Sequence, residues 1–386
     1  MKILHTSDWH VGKRLMGRER LDEQAQVLDE IIQICEAEQI ELVLLAGDVF
    51  DTYTPSAEAE ELFFEKVKKL AGENRAVLVI SGNHDDGVRL SAVSPLSEEQ
   101  GVYLVGNSRE GIRLKETGRQ VKPIQTGKGY VVFENGTGER VFVTLLPYPN
   151  EARFKEVKSE LSYVEQMQKW IEEGNACNAE NLPSILLAHI FVAGGKISES
   201  EREIDLGGAR ALPMEALPNN AYIALGHLHK KQHMGKGHCY YSGSPLQYSF
   251  DESADKAVKV FTLGKNGVDG LKDVPLRSGK KLVRIEASNL DGALQLLEQY
   301  ADCWVELKLY LTEPLASSDT AKLHARGNLL SLLTEITIED GVPLPSRKGL
   351  TNAQLFDAFY KTQYGTEAKQ ELKELFLGVM QEIEER

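Results

Sequence analysis

The chain has 386 residues, 42% of them hydrophobic, enough to bury one large core and leave material for a second domain. Its formal net charge of -14 weighs against a protein that coats nucleic acid by bulk attraction, but not against an enzyme that grips a phosphate backbone locally with help from metal ions. The longest near-apolar run, "SILLAHIFVAGG", is interrupted by His189 and falls short of the roughly 20 residues that cross a bilayer, and "MKILHTSDWHVGKR" lacks the apolar stretch of a signal peptide, so no membrane association and a cytoplasmic location are expected.

In chain order, "KILHTSD" reads as a strand, and Arg20 to Glu38 as a helix with Leu21, Ala25, Leu28, Ile31, Ile32 and Cys35 on one side. "IELVLLAGD" is a second strand, Ala57 to Ala71 a second helix, and "RAVLVISGN" a third strand. The strands are continuous apolar runs rather than alternating ones, which predicts a βαβαβ unit with a parallel sheet covered on both faces. The segments "GVYLVG", "GYVVFE" and "RVFVTLLPYP", separated by Gly-containing turns, are expected as hairpins or edge strands of a second sheet. A helix from about Tyr163 to Glu173 and the strands "PSILLAH" and "AYIALGH" follow, and "HCYYSGSP" and "AVKVFTLG" complete a first domain, residues 1–270. The fold class is α/β, with two sheets packed face to face and helices outside.

"GLKDVPLRSGKK" carries the Pro, Gly and mixed charge of a boundary. Beyond it, "KLVRIEA", "LDGALQLLEQYA", "WVELKLYLTE" and "LLSLLTEITIE" predict a small α+β capping unit over 271–345. The tail, 346–386, turns helical, with Leu372, Leu375, Phe376, Val379, Met380 and Ile383 at the helical period. Such a stripe more often packs on its own domain than on a partner.

The polar residues are informative by position. Five apolar strands run directly into side chains that bind metals: Asp8 and His10, Asp48, Asn83 and His84, His189, and the pair His227 and His229 of "LGHLH". Taken singly, each has a bland alternative: a polar strand end, an aspartate accepting backbone hydrogen bonds in a loop, a satisfied buried histidine, or two histidines in a turn. Taken together, they set several polar and charged groups at one end of the strands, a costly arrangement without cations to compensate. The set of carboxylates, imidazoles and one carboxamide suits manganese or iron better than structural zinc, and Cys35, Cys177, Cys239 and Cys303 stand far apart without a CxxC pair. Two neighbouring ions need a shared anionic ligand, for which Asp48 is the candidate.

Asp8-x-His10, "GD" at Asp48, "GNHD" at Gly82 to Asp85, His189 and "GHLH" at Gly226 to His229 resemble the signature of the calcineurin-like metallophosphoesterases. More narrowly, "MKILHTSDWHVGK", "AGDVFD", "SGNHD", "HLHK" and "YSGSP" resemble the family of bacterial SbcD nucleases, over roughly residues 1–250. The resemblance implies two Mn(II) ions, with Mg, Fe or other divalent ions as alternatives. One would be held by Asp8, His10, Asp48 and His229, the other by Asp48, Asn83, His189 and His227. It makes His84 the catalytic histidine beside the scissile phosphate. Archaeal relatives carry a further histidine where this chain has Asp51, which is therefore given no role, and Asp85 is expected to partner a site histidine.

The resemblance further implies two-metal phosphodiester hydrolysis, with 3'-to-5' exonuclease activity on duplex DNA and endonuclease activity on single strands and hairpins, in DNA repair and recombination. It implies a homodimer whose capping unit contacts DNA and whose tail docks on an SbcC-type coiled-coil ATPase. That partner would bind the ATP, since no GxxxxGK[ST] occurs here. The alternatives are a cytoplasmic phosphodiesterase of cyclic nucleotides or other small molecules, and a non-catalytic architectural protein.

Overall fold

The computed structural model describes residues 1–107, 111–149, 161–201, 211–235, 237–336, 352–364, 366, 368–370, 372–373 and 375–377. The chain opens with β1 (Lys2–Thr6), α1 (Leu21–Ala37), β2 (Leu42–Ala46), α2 (Ala57–Ala71) and β3 (Ala76–Ile80). Strands β1, β2 and β3 pair in parallel, and every residue of β2 and β3 is buried, as continuous apolar runs require. Helix α1 lays Val27, Leu28, Ile31, Ile32 and Cys35 on the sheet. Helix α2 starts at Ser56, whose hydroxyl accepts from the Ala59 N–H, and stops at Gly72.

After α3 (Gly87–Ala92) and α4 (Ser94–Ser97) comes β4 (Val102–Val105), which pairs in parallel with β3 at the edge of this same sheet. "GVYLVG" therefore does not join the second sheet as expected. The two short helices give the crossover that returns the chain parallel to β3, whereas a tight hairpin turn would have forced antiparallel pairing.

The second sheet begins with the meander β5 (Lys122–Gly127), β6 (Tyr130–Glu134) and β7 (Arg140–Leu146). "GYVVFE" and "RVFVTLLPYP" take the places expected of them, while β5, half exposed and interrupted by Pro123, gives little signal in the sequence. Helix α5 (Tyr163–Asn175) carries a capping box between Ser162 and Glu165. The strands β8 (Ser184–His189) and β9 (Tyr222–Gly226) extend the sheet in parallel from β7. Then β10 (Gln232–His233) and β11 (Cys239–Tyr241) close its other edge, in the order β10-β11-β9-β8-β7-β6-β5. Finally β12 (Ala257–Gly264) crosses back to pair antiparallel with β1, and β13 (Gly267–Pro275) completes the first sheet.

The two sheets meet face to face through Ile3, Leu44, Leu78, Phe133, Val143, Leu187, Tyr222 and Phe261, and helices cover the outer faces. The sandwich expected from sequence is present, although β13 carries the first sheet into the segment read as a boundary.

A third, three-stranded sheet follows: β14 (Lys281–Ala287), α6 (Leu290–Gln299), β15 (Cys303–Leu311), α7 (Ser317–His324) and β16 (Leu329–Ile336). All its strands are parallel, so this small unit alternates strand and helix instead of segregating them as an α+β unit would. It leans on the sandwich through Leu15, Leu282 and Trp304, with Trp304 Nε1 donating to Glu23 Oε1 at 2.8 Å. Helix α8 (Asn352–Tyr364) lies beyond, and Phe356 stacks on Phe376 with ring centroids 4.4 Å apart. Val379, Met380 and Ile383 lie outside the described residues. Among the described residues no helix is long and apolar enough to cross a membrane.

Candidate metal centre

The carboxyl ends of β1, β2 and β3 in one sheet and β8 and β9 in the other converge on one edge of the sandwich. Asp8, His10, Asp48, Asn83, His84, His189, His227 and His229 all lie there, none more than 5% exposed. The backbone is bent to deliver them. Asp8, His10, Asp48 and His227 have φ of 54°, 44°, 50° and 111°, a region that costs energy for side-chain-bearing residues and that concentrates at functional sites.

The glycines of the motifs make room for this convergence. A Cβ on Gly47 would stand 2.3 Å from His189 Nδ1, one on Gly82 2.1 Å from Asp48 Oδ1, and one on Gly226 1.7 Å from the Ala46 carbonyl oxygen.

The candidate donor atoms fall into two groups with Asp48 between them. On one side His10 Nε2 and His229 Nε2 face each other at 3.0 Å, His10 Nε2 is 3.4 Å from Asp48 Oδ2, and Asp8, His10 and His229 offer ligand atoms within 4.8 Å of one another. On the other, Asn83 Oδ1 lies 2.8 Å from His189 Nε2 and 3.0 Å from His227 Nδ1, and His189 Nε2 is 3.5 Å from the same Asp48 Oδ2. His84 stands beside His10 and Asp48, its ring edge-on to His10 at 4.6 Å, its N–H donating to Asp48 Oδ1 at 2.9 Å and its Nδ1 2.7 Å from the Asp51 carbonyl oxygen.

The electrostatics fit divalent cations. Burial pushes the Asp8 carboxyl up to about 6, against the pull of His189 and His229. Burial would raise Asp48 as well, but His189 and His84 outweigh it and hold it below the usual carboxylate range. Burial together with His189 pushes His227 down to about 3, and burial with His84 and Lys13 pushes His10 well below its ordinary value, so these imidazoles are neutral donors. Among the described residues no lysine or arginine pairs with Asp8 or Asp48, and His227 Nε2 is buried without a hydrogen bond. Two ring nitrogens facing each other at 3.0 Å, two buried carboxylates and a carboxamide oxygen suit divalent metal ions.

Two residues differ from expectation or gain a setting. Among the described residues Asp85 partners no histidine: its carboxylate accepts from the N–H groups of Gly82, Val49 and Phe50 at 2.8, 3.1 and 2.9 Å, tying the loop after β3 to the loop after β2. Asp51 sits beside the site, with Oδ1 2.7 Å from Lys13 Nζ and 3.4 Å from His10 Nδ1.

The sequence reading missed an outer ring around the Asp8, His10 and His229 side. Ser7 Oγ donates to Asp8 Oδ2 at 2.5 Å and meets Ser242 Oγ at 2.7 Å. Tyr248 lies edge-on to both His10 and His229 and donates its hydroxyl to the Trp9 carbonyl. Glu201 accepts from the His229 N–H at 2.8 Å, while Ser200, Glu252 and Lys256 gather behind its ring. The "YSGSP" segment was the one available signal: Ser242 supports Ser7, and Gly243, at φ 78°, admits the close pass of the His229 carbonyl.

Fold and site together define a calcineurin-like phosphoesterase, and the model of that family matches residues 1–231. Proteins named as the SbcD component of the SbcCD nuclease are similar over most of their length. That of Bacillus subtilis (strain 168) is 38% identical over 341 residues, covering 84% of this chain and 83% of its own. That of Rhodobacter capsulatus is 33% identical, covering 74% and 72%, and that of Staphylococcus epidermidis 31%, covering 75% and 74%. The chain belongs to the SbcD family of calcineurin-like phosphoesterases. A dimetal phosphatase from Danio rerio aligns over 72% of this chain with a TM-score of 0.41 and 12% identity, too distant to inform the site.

Proposed function

We propose that this chain is the nuclease component of an SbcCD-type complex and hydrolyses DNA phosphodiester bonds with two Mn(II) ions. The observation that carries the reading is Asp48 Oδ2, which lies 3.4 Å from a histidine of one donor group and 3.5 Å from a histidine of the other. A carboxylate can be shared by two cations in that position; an imidazole cannot.

In this reading Asp8, His10, Asp48 and His229 hold one ion, and Asp48, Asn83, His189 and His227 the other. When bound, the pair supplies positive charge for the phosphate oxygens and lowers the pKa of the attacking water. The residues supply position. Asp48 is fixed by the His84 N–H, and Asp8 by the Ser7 hydroxyl and the His227 N–H. His84 is the catalytic histidine. With its Nδ1–H donated to the Asp51 carbonyl, His84 would exchange a proton with the phosphate or the leaving oxygen through Nε2.

The finer assignments belong to the same proposal: 3'-to-5' exonuclease action on duplex DNA, endonuclease action on single strands and hairpins, and work in the cytoplasm at the nucleoid. With the boundary moved from 270 to the end of β13, residues 1–275 form the nuclease unit, 276–345 the cap that contacts DNA, and 346–386 the tail that docks on an SbcC-type coiled-coil ATPase. A homodimer is supported by Val88 and Leu96, 60% and 75% exposed on α3 and α4 next to the "GNHD" loop. The acidic balance of the chain leaves much of the grip on DNA to the partner.

The test is to purify the chain with and without its candidate ATPase partner and compare manganese-dependent cleavage of hairpin DNA, linear duplex and a small bis-aryl phosphodiester. Cleavage of DNA, stimulated by the partner, is expected. Cleavage confined to the small ester in both preparations would make the chain a small-molecule phosphodiesterase instead.

A further inference from the structure

His229 closes one of the two donor groups, and its usefulness as a ligand depends on which ring nitrogen carries the proton. Its Nε2 faces His10 Nε2 at 3.0 Å, and its Nδ1 points the other way, to Ser200 Oγ at 2.5 Å. The Ser200 hydroxyl in turn donates to Glu252 Oε1 at 2.6 Å, and the same carboxylate oxygen lies 3.4 Å from His229 Nδ1. Glu252 is buried and ion-paired with the Lys256 ammonium, the partner expected of a buried carboxylate. Lys256 Nζ, 2.5 Å from Glu252 Oε2, also donates to Ser244 Oγ at 2.8 Å and to the His229 carbonyl at 3.1 Å.

We propose that Glu252, acting through the Ser200 hydroxyl, is a positioning residue that fixes His229 as the Nδ1–H tautomer and so presents Nε2 as a metal donor. The proposal rests on the reading of His229 as a ligand of the ion shared with Asp8 and His10. An ionised carboxylate only accepts, so the one Ser200 proton goes to Glu252. The Ser200 oxygen is left to accept, and His229 Nδ1 is the ring nitrogen that donates to it. Nε2 then carries a lone pair on the side where His10 Nε2 stands. Ligating histidines are commonly held this way, by a carboxylate on the far nitrogen; here a serine hydroxyl stands between.

The arrangement also joins three stretches distant in sequence. Ser200 and Glu201 hold the ring and the N–H of His229 from the segment after β8, while Glu252 and Lys256 hold it from the segment before β12. Among the described residues, neither segment contributes a donor of its own to either group.

The experiment compares the full-length wild-type chain with Ser200→Ala, Ser200→Thr and Glu252→Gln, using Mn(II) titration by calorimetry and by electron paramagnetic resonance. His229→Gln and His227→Gln serve to label the two binding steps. Ser200→Ala removes one hydroxyl from a half-buried position and is expected to leave thermal unfolding of the metal-free protein unchanged. It should weaken the step abolished by His229→Gln about 10–100-fold and leave the step abolished by His227→Gln within about threefold. Ser200→Thr should restore wild-type affinity, and Glu252→Gln should reproduce the selective loss.

Independently of metal, nitrogen-15 spectra of the metal-free wild type, taken at a pH where the ring is neutral, should show His229 as the Nδ1–H tautomer, and Ser200→Ala should lose that bias. Two Mn(II) ions bound by Ser200→Ala and Glu252→Gln with wild-type affinities, or an Nε2–H tautomer in the wild type, would overturn the relay alone. A wild-type chain that binds fewer than two Mn(II) ions would overturn the two-ion reading, and the relay with it.

Discussion

Asp48 makes the sharpest demand on the chemistry of single residues. Its Oδ2 stands near both His10 and His189, so Asp48→Asn should lower Mn(II) stoichiometry and also cut nuclease turnover by more than the roughly 10–100-fold that loss of an outer hydrogen-bond partner costs. Two bound ions in that variant would remove Asp48 from the bridge. His84→Ala should behave differently: turnover down about 10²–10⁴-fold, with both ions still bound in a calorimetric titration. His5 gives a prediction independent of metal. It is buried in β1, with Nδ1 3.1 Å from the Tyr222 hydroxyl, and burial, helped by Lys259, pushes it down to about 3. Between pH 6.5 and 3 the unfolded chain therefore binds the extra proton. The stability that neutral His5 confers is complete above that window and lost as pH falls through it, at up to about 1.4 kcal/mol per pH unit. Metal-free His5→Gln should accordingly show a shallower decline of denaturation midpoint from pH 6 to pH 4 than the wild type, by about that slope.

At the level of elements, the site is built by strand ends, and the strands must approach closely for their ends to meet. Gly226 closes β9 where it passes β2, and a side chain there would meet the Ala46 carbonyl at 1.7 Å. No rotamer relieves a clash between Cβ and backbone. Gly226→Ala should therefore cost at least about 3 kcal/mol, read as a fall in thermal unfolding temperature, or prevent folding outright. The two apolar runs that the sequence shows most plainly, β2 and β3, are also the most completely buried strands. The segment misplaced from sequence, β4, has the same apolar character as its neighbours. Composition reports that a strand is buried; which sheet buries it is decided by the crossover.

For the whole molecule, the proposed function gives DNA contact to the cap and partner docking to the tail. The cap leans on the sandwich through Trp304, whose ring lies under Arg18 and Lys280 at 5.0 and 4.6 Å, close to the loop that follows His10. Removing the residues after about 346 should abolish binding to the ATPase partner in a pull-down while leaving manganese-dependent cleavage of a small phosphodiester intact. Retained assembly would count against the docking role of the tail. Among the described residues of that region, Phe359, Leu372, Leu375 and Leu377 are exposed apolar side chains, Phe359 and Leu375 the most so at 59% and 66%.

The α/β class, the candidate donors and the strand endings that carry them were legible in the sequence alone. Metal chemistry restricts donors to a few residue types, and a strand buried on both faces must be apolar to its last residue, so "LVLLAGD" and "YIALGHLH" announce both facts locally. Only the tertiary structure decided how the two sheets divide the strands, that Asp85 ties two loops instead of a histidine, and that Ser200, Glu201 and Glu252 stand behind His229. Such hydrogen bonds depend on the meeting of segments far apart in the chain. A serine or glutamate in a loop looks the same in sequence whether it faces water or the back of a ligand.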